Sequence, residues 1–115
     1  MRAQDLRVVT LFGRMNPYVV IECGQQKYKS EPDEYGHTEP KWTFTTCLPF
    51  SSTQDEIKIG CYDKGILMDQ MIGETTMKIK EFQTSERSDL YIPIFSKTND
   101  AGLIKIISRV ELKSA

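Results

Sequence analysis

Two residue types are almost missing from this 115-residue chain. It has one histidine, His37, and one tryptophan, Trp42. A lone histidine removes the paired-imidazole metal sites, and His37 sits in an acidic stretch with no partner that would make it a general base. There is no Gly-x-Gly-x-x-Gly run and no phosphate-binding P-loop. The three cysteines, Cys23, Cys47 and Cys61, have no Cys-x-x-Cys spacing, so neither a disulfide framework nor a zinc site is encoded. Each falls inside an expected strand, which predicts buried, reduced thiols. No apolar run approaches the roughly 20 residues of a membrane-spanning helix. The start, Met1-Arg2-Ala3-Gln4-Asp5, is charged at once and lacks the apolar core of a signal peptide. Net charge is -1, from 15 basic and 16 acidic side chains, which gives no support to phosphate-driven nucleic-acid binding. These absences point away from an enzyme, a small-molecule substrate, a bound cofactor and a nucleic-acid partner.

What is present is alternation. The chain is the length of one domain and can build a core without staples. Asn16-Pro17 initiates a turn, and Tyr18–Cys23 then reads as a half-buried strand closed by Gly24. Gln26–Ser30 reads as its hairpin partner. Glu31–Pro40, with two prolines, a glycine and four acids, reads as a solvated loop holding an exposed His37. Lys41–Leu48 alternates with period two: Trp42, Phe44, Thr46 and Leu48 face one way, and Lys41, Thr43, Thr45 and Cys47 the other. Ile57–Tyr62 and Gly73–Lys80 alternate in the same way. Glu81–Ser88 is polar, with room for a helical turn. Leu90–Ile94 is a short strand that Pro93 assigns to an edge. Lys97–Gly102 reads as a turn. In the last strand Ile104, Ile106, Val110 and Leu112 oppose Lys105, Arg109 and Glu111. Seven short strands and no long helix predict an all-β antiparallel sandwich.

Several stretches also resemble one family. Asn-Pro-Tyr-Val at 16–19 is similar to the Asp-Pro-Tyr-Val signature of C2 domains, eight-stranded sandwich modules that bind membranes and proteins. Glu39-Pro40-Lys41-Trp42 resembles that family's Asn-Pro-x-Trp strand start. Ile57–Asp63 resembles its strand ending in an aspartate, Ile72-Gly73 its next strand start, and Ala3-Gln4-Asp5-Leu6 the segment after its first strand. The resemblance covers nearly the whole chain. It implies seven of the eight strands here, with the first lying before Met1, so that residues 1–115 would be one C2-like domain of a longer chain. Read alone, Arg7–Phe12 is a strand; the resemblance makes it the first top loop.

The resemblance implies where calcium would sit, and the residues there are poor ligands. Calcium takes six to eight hard oxygens, mostly carboxylate. The first-loop positions fall on Thr10 and Asn16. In the third loop they fall on Asp63, Gly65, and Asp69 or Gln70. Asn16, Asp63 and Asp69 are weak calcium candidates, and no site of physiological strength is expected. Apolar side chains stand in those loops instead: Leu11 and Phe12 in the first, Ile66, Leu67 and Met68 in the third. They would insert into a membrane, dock a protein partner, or cover one another. Lys27, Lys29 and Lys41, with Lys58 beyond, would form a modestly basic face. Two functions follow: a calcium-independent module that targets a parent protein to membrane phospholipid, or a scaffold module in a cytoskeletal or signalling assembly that needs no lipid. Either is expected in the cytoplasm, the first at a membrane surface.

Overall fold

The computed structural model describes residues 1–11, 13–52, 54–82 and 88–108, Ser88 by its backbone only. Seven antiparallel strands carry the chain. They are β1 (Arg2–Gln4), β2 (Pro17–Cys23), β3 (Gln26–Lys29), β4 (Glu56–Asp63), β5 (Gln70–Lys78), β6 (Ser88–Ser96) and β7 (Asn99–Ser108). Their order across the sheet is β1-β7-β6-β5-β4-β2-β3. The described ladder between β5 and β6 is the single pair Glu74↔Phe95. The sheet folds over there, and its two halves close on one core. Ile92, Ile94, Ile104 and Ile106 of one half pack in the same cluster as Val19, Ile21, Ile59, Cys61 and Ile72 of the other. Gly73 is needed at the fold line: a Cβ there would stand 2.6 Å from the Ala101 side chain and 3.3 Å from Ile94. The all-β sandwich expected from alternation is the observed fold.

Several elements differ from the sequence reading. Lys41–Leu48 is not a paired strand; Lys41 makes one isolated bridge, to Arg2. The expected alternation survives in burial, with Trp42 buried, Phe44, Thr46 and Leu48 half-buried, and Thr43, Thr45 and Cys47 exposed. Periodicity reports which face is wet; a ladder needs a neighbour as well, and past Trp42 none is present among the described residues. Cys47 is therefore an exposed thiol, whereas Cys23 and Cys61 are buried as expected. Burial pushes the Cys61 thiol up to about 12. The expected turn at 97–102 contracts to Lys97-Thr98, and residues 99–102 join β7 opposite a bulge at Ile94/Phe95. Residues 79–81 make one 3-10 turn, and the polar stretch at 83–87 lies outside the described residues, as do Arg109, Val110, Glu111 and Leu112. Residues 6–10 have no regular structure, which makes that stretch a loop. The strand that Pro93 assigned to an edge, β6, instead lies between β7 and β5, although its described ladder to β5 is the one pair Glu74↔Phe95, so few bonds on that side need a donor.

β2 is more buried than a half-wet strand. Val19, Ile21 and Cys23 face the core, yet Tyr18 and Val20 on the outer face are buried as well. The Tyr18 ring stacks on Tyr62 at 5.6 Å, and Lys29 Nζ lies 4.9 Å from the Tyr18 ring centre. Trp42 ties the layers together. Its indole N–H donates to the Pro17 carbonyl at 2.8 Å inside the protein, and its backbone N–H donates to Met1 O at 2.8 Å. Pro17 O also accepts from Asp33 N–H. Trp42→Phe keeps most of the apolar contact and removes one buried bond without orphaning the carbonyl. We expect a loss of about 1–2 kcal/mol in urea unfolding; an unchanged midpoint would show that the indole bond contributes nothing.

Candidate functional site

One end of the sandwich gathers the loops 5–16, 30–40 and 64–69. Three sets of bonds hold them together. Arg7 runs under the third loop's exit, donating from Nε to Ile72 O at 3.0 Å and from Nη2 to Met71 O at 2.9 Å. Asp63, the last residue of β4, is buried, and its Oδ1 accepts the Asn16 N–H at 2.8 Å. Lys64 N–H returns a bond to Asn16 O at 3.0 Å. Pro17 faces Asp63 across the ladder, so Asn16 supplies the donor next to the residue that has none.

The 30–40 loop is not simply solvated. Asn16 Oδ1 accepts Tyr35 N–H at 2.9 Å, and Arg14 Nε donates to Tyr35 O at 3.1 Å. His37 has a partner after all. Its Nδ1 accepts the Met15 N–H at 3.1 Å, and its own N–H donates to Met15 O. The ring is half-buried and its Nδ1 lone pair is used, which makes it a brace. Sequence could not show this, because the contact spans 22 positions.

The three calcium candidates lie near one another, each already engaged. Asn16 and Asp63 bind as above. Asp69 Oδ2 accepts the Tyr18 hydroxyl; its Oδ1 accepts Gly65 N–H at 3.2 Å and lies 3.7 Å from Lys64 Nζ. The Tyr18 hydrogen bond, with help from Gly65 N–H and Lys64, holds the Asp69 carboxyl below its ordinary value. Burial, and then the same bond, hold the Tyr18 hydroxyl well above its own. Among the described residues no three His, Cys, Asp or Glu side chains are grouped as metal ligands. Asp69 thus shapes its loop, together with Gly65, where any Cβ would run into the Met68 carbonyl.

Held this way, the third loop points its apolar side chains out. Ile66 is 103% exposed, Leu67 97% and Met68 71%, and Leu11 of the first loop is 91% exposed. They do not cover one another. Phe12 lies outside the described residues. Val8, half-exposed in the first loop, was missed by sequence, since its run also read as a strand.

The basic face is mixed. Lys27 pairs with Glu22 at 3.5 Å and Lys58 with Glu74 at 3.2 Å. Lys29 and Lys41 come together at a cleft of about 290 Å³ that Glu31 and Asp33 also line. Cross-strand register explains the first pair, because Glu22 faces Lys27, whereas Lys58 reaches Glu74 diagonally, Glu74 standing opposite Gly60.

A C2 domain profile matches residues 1–94. The chain belongs to the C2 domain family. It is 30% identical over 79 residues to the 16 kDa phloem protein 2 of Arabidopsis thaliana, covering 68% of this chain and 54% of that protein. It is 27% identical over 96 residues to an Arabidopsis thaliana C2 domain-containing protein, covering 80% of this chain and 12% of the other. The chain therefore spans about half or less of the curated relatives it matches. Among solved structures, a C2 domain of plant Extended Synaptotagmin 1 superposes with a TM-score of 0.86 at 17% identity, over 99% of this chain and 91% of that one. At that identity the match concerns the fold. C2 domains bind membranes, lipids and proteins, and this chain has the same frame.

Asp69 gives this C2 domain a pH signature. Its folded pKa lies below the unfolded value of roughly 3.9, so its stabilisation is complete above that value and fades as pH falls through the folded pKa. Melting temperatures of the parent chain and Asp69→Asn should differ most above about pH 5 and converge toward about pH 2. A gap that stays constant across that range would mean that the Asp69 carboxylate is not held by its charge.

Proposed function

We propose that this chain is a non-catalytic C2 module that docks on membrane phospholipid without calcium, through its apolar loop tips. The observation that carries the reading is the set of four largely exposed side chains, Leu11, Ile66, Leu67 and Met68, on loops braced from below. Exposed tips of this kind are uncommon unless they meet something. Burying each is worth roughly 1.5–3 kcal/mol, or about 6–12 kcal/mol for four, of which association and ordering consume a large part. Electrostatics add little. Lys27 and Lys58 are paired with Glu22 and Glu74, which leaves Lys29 and Lys41 as the contributors to attraction for anionic lipid. Calcium independence is supported by Asn16, Asp63 and Asp69, whose oxygens hold loops together. The non-catalytic reading is supported by His37, whose Nδ1 is occupied by Met15 N–H.

Among the described residues no helix is long and apolar enough to cross a membrane. The attachment proposed is peripheral, from the cytoplasmic side. A scaffold role, in which the same tip docks a protein, is the competing reading. Co-sedimentation with phosphatidylcholine vesicles, with and without about one-third phosphatidylserine, separates them. Binding in chelator that changes little with salt, and falls at least about tenfold in Leu67→Asp, is expected. Absence of binding to every vesicle would move the tip to a protein partner. Titration calorimetry should show no micromolar calcium uptake; uptake abolished by Asp63→Ala would overturn calcium independence.

A further inference from the structure

The end of the sandwich that carries the apolar tips has a fourth connection. β4 runs toward that end and stops at Asp63. β5 is antiparallel to β4, β6 to β5 and β7 to β6, so the turn from β6 to β7 comes back to the same end. That turn is Lys97-Thr98, closed by the pair Ser96↔Asn99. Register fixes its height. Phe95 stands opposite Glu74, which puts Ser96 beside Gly73 and Lys97 beside Ile72. The turn is therefore set back by about two residues, or roughly 7 Å, from Gln70, where the third loop enters β5. Arg7 spans the same step: its N–H donates to Ala101 O on β7 at 2.9 Å, while its guanidinium holds Met71 O and Ile72 O.

Lys97 is an unfavourable residue for this turn. Its φ is +57°, a left-handed backbone that asparagine and glycine adopt at less cost, and two-residue hairpin turns favour those residues. The fold draws no bond from its side chain. Lys97 is exposed, and among the described residues it makes no ion pair, with the exposed Asp100 three positions on left unpaired as well. Lys27, Lys58, Lys64 and Lys105 are each matched by an acid. A strained backbone carrying an unmatched charge points to a use outside the fold.

We propose that Lys97 is a phosphate contact of the docking surface, held one step behind the apolar tips. The inference rests on the membrane reading above. Apolar groups of a peripheral protein settle at the boundary between headgroups and acyl chains, so a group set back from Leu11, Ile66, Leu67 and Met68 meets the phosphate layer. Lysine suits that place. Its four-carbon stem covers most of the step between the turn and the third loop, and its ammonium stays among the headgroups. Lys29 and Lys41 attract an anionic surface from the flank; Lys97 does so from the tip end itself. A contact on the β6–β7 turn also sets the tilt, because that turn and the third loop must reach one surface together.

The test compares one charge at two ends. Lys80 is exposed on the 3-10 turn that follows β5, at the opposite end of the sandwich. Lys97→Asn and Lys80→Asn remove the same charge, and Lys97→Arg keeps it. The probe is phosphatidylcholine vesicles with about one-third phosphatidylserine, in chelator. We expect Lys97→Asn to bind about fivefold more weakly and to melt at a higher temperature, since asparagine tolerates the backbone better. Lys97→Arg and Lys80→Asn should bind like the parent chain. Undiminished binding by Lys97→Asn, or equal weakening by Lys80→Asn, would overturn the inference and leave the membrane reading standing. Weaker binding with a lower melting temperature would also overturn it, since Lys97 would then serve the fold. A parent chain that sediments with no vesicle would overturn both.

Discussion

The bond from Asn16 N–H to the buried Asp63 carboxylate is the constraint on which the functional end depends. It lies where two strands end and two loops begin. Pro17 cannot donate, so the β2–β4 ladder would fray there without another donor. Asn16 provides it, accepts Lys64 N–H on its own carbonyl, and uses its side chain to hold Tyr35. One residue thus closes all three loops against each other. Removing the donor to a buried carboxylate leaves that group unsatisfied as well as losing the bond, so this one contact costs more to break than an exposed hydrogen bond.

Stiffness below is what permits exposure above. Ile66, Leu67 and Met68 are carried by a loop whose ends are tied at Asp63, Asp69 and Gly65, and their apolar side chains stand exposed. The Asp63 and Asp69 carboxylates accept from Asn16 N–H, Gly65 N–H and the Tyr18 hydroxyl. On the outer face the same economy applies: Glu22 and Glu74 answer Lys27 and Lys58, leaving a surface of nearly balanced charge. In the proposed membrane reading the domain offers apolar tips first and charge second, and that order sets the expected response to salt.

The fold was largely legible because strand alternation is local. Tyr18–Cys23, Ile57–Tyr62 and Leu90–Ile94 could be read from spacing alone, and the family resemblance supplied the loop at Arg7–Phe12. Lys41–Leu48 shows the limit. Its period was right, but a ladder depends on a strand elsewhere, which no local pattern can report. The braces of the site, His37 to Met15, Tyr18 to Asp69 and Arg7 to Ile72, join residues 22 to 65 positions apart and left no mark in sequence. Cys47 reads like its two buried counterparts by residue type; only the outward face of an unpaired segment distinguishes it.

The most direct test of the central claim is the depth of the third loop in a bilayer. Leu67→Trp places a reporter at an almost fully exposed position, while Trp42 stays buried and serves as a constant background. With vesicles in chelator, the account predicts blue-shifted emission from the introduced indole, quenched by brominated acyl chains. Emission that ignores vesicles, or responds only once calcium is added, would contradict it.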